Sequence, residues 1–127
     1  MVFLRVLLSV FFIGKIIVIN LTPGDFYIQM ENDNNPILLD VRISEDYCES
    51  RIVNAIWAGK KTVLEDLLSE ISTDRSIFIY CEKGERTKQV AIILQEHNFK
   101  KVYDLEGGFK KWVEQGFPID KEPRAEL

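Results

Sequence analysis

Two cysteines, Cys48 and Cys81, and a single histidine, His97, carry the thiol and imidazole chemistry available to this 127-residue chain. Thiols this far apart with one imidazole build neither a disulfide framework nor the usual zinc site, and only Asp and Glu remain to hold a hard cation. Cys81 has the more informative setting. It follows the apolar run SIFIY (residues 76–80) and precedes the loop Glu82, Lys83, Gly84, Glu85, Arg86, after which Thr87 opens a helical pattern. A cysteine so placed can be a nucleophile, because free N–H groups and the positive end of the helix dipole stabilise an anion at the sulfur. Gly84 lets the loop turn so that successive N–H groups converge as a nest. Arg86 adds a planar, bidentate charge for an anionic substrate. The same position also suits an inert packing cysteine, since buried free thiols are common.

The elements that must position Cys81 alternate in type. Residues 16–20 (IIVIN) form a β-branched run that reads as a strand, and Thr22-Pro23 is a cap and first-turn signal for a helix over residues 23–30. After the polar turn ENDNNP come a strand at 37–41, a short helical turn at 44–50 and a brief strand at 55–58. Val63, Leu64, Leu67, Leu68 and Ile71 share one face of a helix over 62–69, and Val90, Ala91, Ile93 and Leu94 one face of a helix over 87–96. A strand at 101–105 and a helix at 109–115, after Gly107-Gly108, complete the series, and the tail DKEPRAEL is expected to fray. Strands that are continuous apolar runs, alternating with helices, indicate an α/β fold: one domain with a mostly parallel central sheet and helices on both faces. In such a sheet ligands bind outside the carboxyl ends of the strands, where Cys81 falls.

Composition narrows the class. The length suits one domain with a real core, and a hydrophobic fraction of 46% with 28% charged residues is that of a globular protein. A net charge of -4, with no basic stripe, argues against a nucleic-acid partner. Residues 1–15 are a separate hydrophobic segment: apolar from Val6 to Ile13 and flanked by Arg5 and Lys15. Such a segment is short for a membrane span but suits a signal-peptide core or anchor, which would place the domain in the cell envelope or periplasm. No small-x-small cleavage site follows, so an extra segment packed on the domain, or a start codon set too far upstream, with the protein cytoplasmic, stands as the alternative. Membrane contact is expected only through residues 1–15.

LLDVR (residues 38–42), EDY (45–47), IYCEKGERT (79–87) and LEGGFKKWVEQGFPI (105–119), in that order, resemble a rhodanese domain over residues 16–119, leaving 120–127 as a polar tail. The resemblance implies a sulfurtransferase. Cys81 would be the nucleophile and persulfide carrier, taking a sulfane sulfur from a donor such as thiosulfate or a persulfide and passing it to cyanide or a thiol. Glu82, Lys83, Gly84, Glu85, Arg86 and Thr87 would form the substrate-binding loop whose N–H groups cradle the outer sulfur. Asp40 and Arg42 would form an ordering ion pair beneath it. No cofactor and no metal is implied; the partners would be small sulfur-containing anions, thiols, or a protein persulfide. The spacing Cys81-x4-Arg86 is one residue shorter than the C-x5-R loop of phosphatases, which favours sulfur over phosphate. A phosphatase or arsenate reductase on the same fold and a non-enzymatic binding or redox-sensing module are the alternative readings.

The chain departs from that family in two places. SRIVNA (residues 50–55) replaces the customary G-H-I-P-G-A, so the histidine becomes Arg51, read as a solvated base at a structural or rim position. In the loop Glu82 and Glu85 offset Lys83 and Arg86, which predicts weak thiosulfate binding. Trp57 and Trp112 are read as core, Cys48 as a lone thiol and His97 as a helix cap.

Overall fold

The computed structural model describes residues 17–125 and residue 127; the hydrophobic segment 1–15 lies outside the described residues. Among the described residues, seven strands and five helices follow in the order β1 (Ile17–Leu21), α1 (Pro23–Glu31), β2 (Ile37–Asp40), α2 (Ser44–Glu49), β3 (Arg51–Ile52), β4 (Ile56–Trp57), α3 (Lys61–Ser69), β5 (Ile77–Tyr80), α4 (Thr87–Glu96), β6 (Lys101–Leu105), α5 (Gly108–Glu114) and β7 (Ile119–Asp120). Each expected element forms, its described ends within one residue of the expectation. Thr22 caps α1 by accepting the Asp25 N–H at 3.3 Å, and Pro23 starts the helix where no N–H is needed.

Five strands form one sheet in the order β1-β6-β5-β2-β4, with parallel pairing throughout. Side-chain alternation splits its core in two. Leu39, Ile77, Ile79 and Val102 face one way against Leu64 and Leu68 of α3 and Val90 and Leu94 of α4. Leu38, Phe78, Tyr80 and Leu105 face the other way against Phe26 of α1, Tyr47 of α2 and Phe109 and Trp112 of α5. On that face Phe26 meets Phe78 and Trp112 edge-on, at 5.3 and 6.1 Å between ring centroids. Burial on both faces explains why β2 and β5 lack alternating polarity. It also places β5, the middle strand, with Cys81 at its carboxyl end.

A second, two-stranded sheet pairs β3 with β7 antiparallel, Arg51 opposite Asp120 and Ile52 opposite Ile119. Two residues per strand are too few to show a period, so the sequence does not mark it. This pairing corrects the expectation for Arg51, which is 0% exposed. Its guanidinium pairs with Asp120 at 2.8 Å and donates to the carbonyls of Tyr47, Cys48 and Glu122. A cation buried in this way is held by its ion pair and carbonyl acceptors, not by water, although Nη1 meets Asp120 without a well-aligned hydrogen bond. The tail is also less free than expected: the Arg124 N–H donates to the Cys48 carbonyl and its guanidinium to the Tyr47 hydroxyl.

Candidate active site

Cys81 is 3% exposed and continues the alternation of Ile77 and Ile79 into the core. Its Sγ accepts a hydrogen bond from the Gly84 N–H at 3.0 Å. That contact requires the chain to double back within three residues, and Gly84 does so at φ +94°, where a side chain would be strained.

The loop is held from behind by α5. The Phe109 N–H donates to the Cys81 carbonyl at 2.8 Å, and the Lys110 N–H to the Glu82 carbonyl at 3.1 Å. These are first-turn N–H groups that a helix cannot satisfy internally. In a trans peptide the carbonyl and the next N–H point to opposite sides. Fixing the Cys81 and Glu82 carbonyls against α5 therefore turns the Glu82 and Lys83 N–H groups away from it. Among the described residues the N–H groups of Lys83, Glu85 and Arg86 donate to no protein acceptor. Gly108 makes the close approach possible: a Cβ there would lie 2.5 Å from the Glu82 carbonyl oxygen and 2.6 Å from that of Cys81.

The loop opens on a pocket of about 230 Å³ lined by Arg42, Ile43, Asp46, Cys81, Glu82, Lys83, Glu85 and Arg86. Arg42 is buried at its base. It binds Asp40 through Nε and through Nη2 at 2.8 Å, donates to the Ser50 carbonyl, reaches Glu82 at 3.3 Å and lies 4.0 Å over the Phe109 ring. Burial opposes its charge, but the bonds and fields of Asp40, with Tyr80 and Glu82, raise its pKa above the ordinary value. Tyr80 completes the set, donating to Asp40 at 2.6 Å and accepting from the Ile52 N–H. Burial and then Asp40 hold its hydroxyl well above the usual tyrosine range, so it stays a donor. Asp40 and Arg42 thus form an ion pair beneath the site, and Arg42 also reaches its wall. Three cations on that wall (Arg42, Lys83, Arg86) face three anions (Asp46, Glu82, Glu85).

The loop residues do not all take one part. Arg86 donates to the Val41 carbonyl at 3.3 Å and borders the pocket. Thr87 stands apart: its side chain is wholly buried and its hydroxyl contacts Asp104 at 2.8 Å and the Gly84 carbonyl at 3.3 Å. Trp112 is core, its indole N–H bonded to the Pro118 carbonyl, whereas half-buried Trp57 donates to the Arg42 carbonyl. His97 is the C-cap of α4. Half-buried Cys48 donates its thiol to the Ala125 carbonyl. Asp46 and Asp104 were not singled out by sequence. Asp104 carried a signal, an acid inside the apolar strand KVYDL. A larger cavity of about 520 Å³, lined in part by Ile37, Leu38 and Trp112, lies toward the amino ends of the strands, away from Cys81.

A family model for the rhodanese-like domain matches residues 22–115. The chain belongs to the rhodanese-like domain family. A sulfurtransferase of Allochromatium vinosum is 28% identical to this rhodanese-like chain over 91 residues, 72% of this chain and 84% of that protein. Thiosulfate sulfurtransferase GlpE of Coxiella burnetii is 33% identical over 76 residues, 60% of this chain and 70% of that one. The solved rhodanese-like domain of the Anabaena Alr3790 protein shares the fold, with a TM-score of 0.70 at 24% identity over 80% of this chain and 77% of that one.

Proposed function

We propose that this rhodanese-like domain is a sulfurtransferase that carries sulfur as a persulfide on Cys81. The Cys81 thiolate attacks the sulfane sulfur of the donor. With thiosulfate, a sulfur–sulfur bond forms to Cys81 and sulfite leaves with the electron pair of the bond that breaks. A thiol or cyanide then attacks the outer sulfur, and Cys81 departs as thiolate. The observation that carries this reading is the Gly84 N–H on Cys81 Sγ at 3.0 Å, in a Cys81-x4-Arg86 loop whose other N–H groups meet no protein acceptor among the described residues. Such donors would stabilise charge on the outer sulfur or a leaving oxyanion and lower the barrier without an added base.

The balanced charges of the pocket support a modest affinity for thiosulfate and leave a protein or small-molecule persulfide as an equally suited donor. Incubation with thiosulfate followed by intact mass measurement tests the reading. One added sulfur that maps to Cys81, released as thiocyanate by cyanide, is expected. No sulfur gained, or full activity in Cys81→Ser, overturns it. Cys81-dependent hydrolysis of an aryl phosphate without sulfur loading would point to phosphoryl chemistry instead.

A further inference from the structure

The buried contact between Thr87 and Asp104 has an arithmetic problem. The Thr87 hydroxyl lies within reach of two acceptors, Asp104 Oδ2 at 2.8 Å and the Gly84 carbonyl at 3.3 Å, but it has one hydrogen to give. The Gly84 carbonyl receives no other donor among the described residues. Asp104 is 7% exposed, and its Oδ1 is buried with no hydrogen-bond partner.

If Asp104 is ionised, the hydrogen goes to the charged, nearer oxygen and the Gly84 carbonyl is left without a donor. If Asp104 is protonated, its O–H donates to Thr87 Oγ1 and the Thr87 hydrogen passes on to Gly84. Only this second arrangement gives the Gly84 carbonyl a donor while keeping the Asp104–Thr87 bond, and it leaves Asp104 Oδ1 unpaired as a neutral oxygen rather than a charged one. The Gly84 carbonyl shares a peptide plane with the Glu85 N–H, so whatever holds the carbonyl also orients that donor. The next peptide back carries the Gly84 N–H that meets Cys81 Sγ.

We propose that Asp104 and Thr87 form a proton-sensitive positioning pair for the Cys81 loop, holding the Gly84–Glu85 peptide in place when Asp104 is protonated and releasing it when Asp104 ionises. The proposal rests on the sulfur-transfer reading for its consequence: the ionised carboxylate also adds negative charge behind a loop that binds anions, so both effects slow reaction with an anionic donor as pH rises. Asn20 of β1 and Ile79 of β5 face Asp104 in register, and among the described residues Lys88 of α4 is the charged group that bears on it. Burial raises the Asp104 pKa to about 6 against the Thr87 bond and the Lys88 charge, which sets the pH at which the pair would switch.

The test follows carboxymethylation of Cys81 by iodoacetate, an anionic probe, by peptide mass mapping, alongside sulfur loading from thiosulfate. Asn at position 104 keeps a permanent donor toward Thr87, so the Asp104→Asn to wild-type rate ratio cancels the titration of the thiol itself. That ratio is expected near one below about pH 5 and about fivefold at pH 8, the worth of one ordinary hydrogen bond, with its inflection near 6. Thr87→Ser should keep the wild-type pH profile and Thr87→Val should shrink the inflection to the part that the carboxylate charge alone produces, which separates the relay from packing. A carbon-detected NMR titration of the Asp104 carboxyl serves if the Asn variant does not fold. A flat ratio with both reagents, or an Asp104 carboxyl that titrates as an ordinary exposed aspartate, overturns the proposal. An iodoacetate inflection without any sulfur loading would uphold the relay and reject the transferase reading; loading with a flat profile would do the reverse.

Discussion

At the scale of single residues, charge in the loop bears on which donor the proposed sulfur-transfer site would suit. Glu82 is held by Arg42 at 3.3 Å, whereas Glu85 is exposed at the pocket rim and has no ion-pair partner among the described residues. Glu85→Lys is therefore expected to lower KM for thiosulfate about three- to tenfold with little change in kcat, and the gain should shrink as salt is added. Steady-state thiocyanate assays at two ionic strengths check this. Arg51 gives a different prediction. Arg51→Met leaves the carbonyls of Tyr47, Cys48 and Glu122 without their shared donor. The expected cost is about 2–3 kcal/mol in urea unfolding, with sulfur transfer per folded molecule nearly unchanged because Arg51 does not line the pocket.

At the scale of elements, the site depends on a helix that contributes no side chain to the pocket wall. The first turn of α5 clamps the Cys81 and Glu82 carbonyls, and the clamp needs Gly108 at φ +65° in contact with both. Gly108→Ala forces a methyl group onto the loop backbone and strains its own conformation. A loss of about 2–3 kcal/mol in stability is expected, with Cys81 sulfur loading reduced more than tenfold even where the protein remains folded. Thermal unfolding and intact mass after thiosulfate treatment read the two effects separately.

At the scale of the whole molecule, Asp104 links stability to pH. Its folded pKa of about 6 stands above the ordinary 3.8, so the folded state holds the proton more tightly than the unfolded chain does. That contribution is full below about 3.8 and is lost as pH rises through about 6. Asp104→Asn keeps a neutral group at the position. Its melting temperature should match wild type within a degree or two near pH 4 and rise above it by several degrees near pH 8. A gap independent of pH would mean that Asp104 is not the group responsible.

Much of this molecule was legible in the chain. The apolar runs at 37–40 and 77–80 named the buried parallel strands, because a strand covered on both faces has no polar side to alternate. The order of strand, Cys81, Gly-containing loop and helix pointed to the candidate site, because a helix start offers free N–H groups wherever it occurs. Other features depended on contacts between residues distant in sequence. Arg51 read as solvated because nothing beside it in the chain says that Asp120 and the tail will close over it. The Gly107-Gly108 pair read as a helix lead-in, yet its service to Cys81 exists only because β6 lies beside β5 and brings α5 against the loop. Asp104 and Thr87, 17 residues apart, meet for the same reason. Local sequence determined which atoms could react and which backbone would cradle them, since both follow from short-range geometry. The sheet order decided what braces that cradle and which buried proton bears on it, since those contacts form only once the strands have paired.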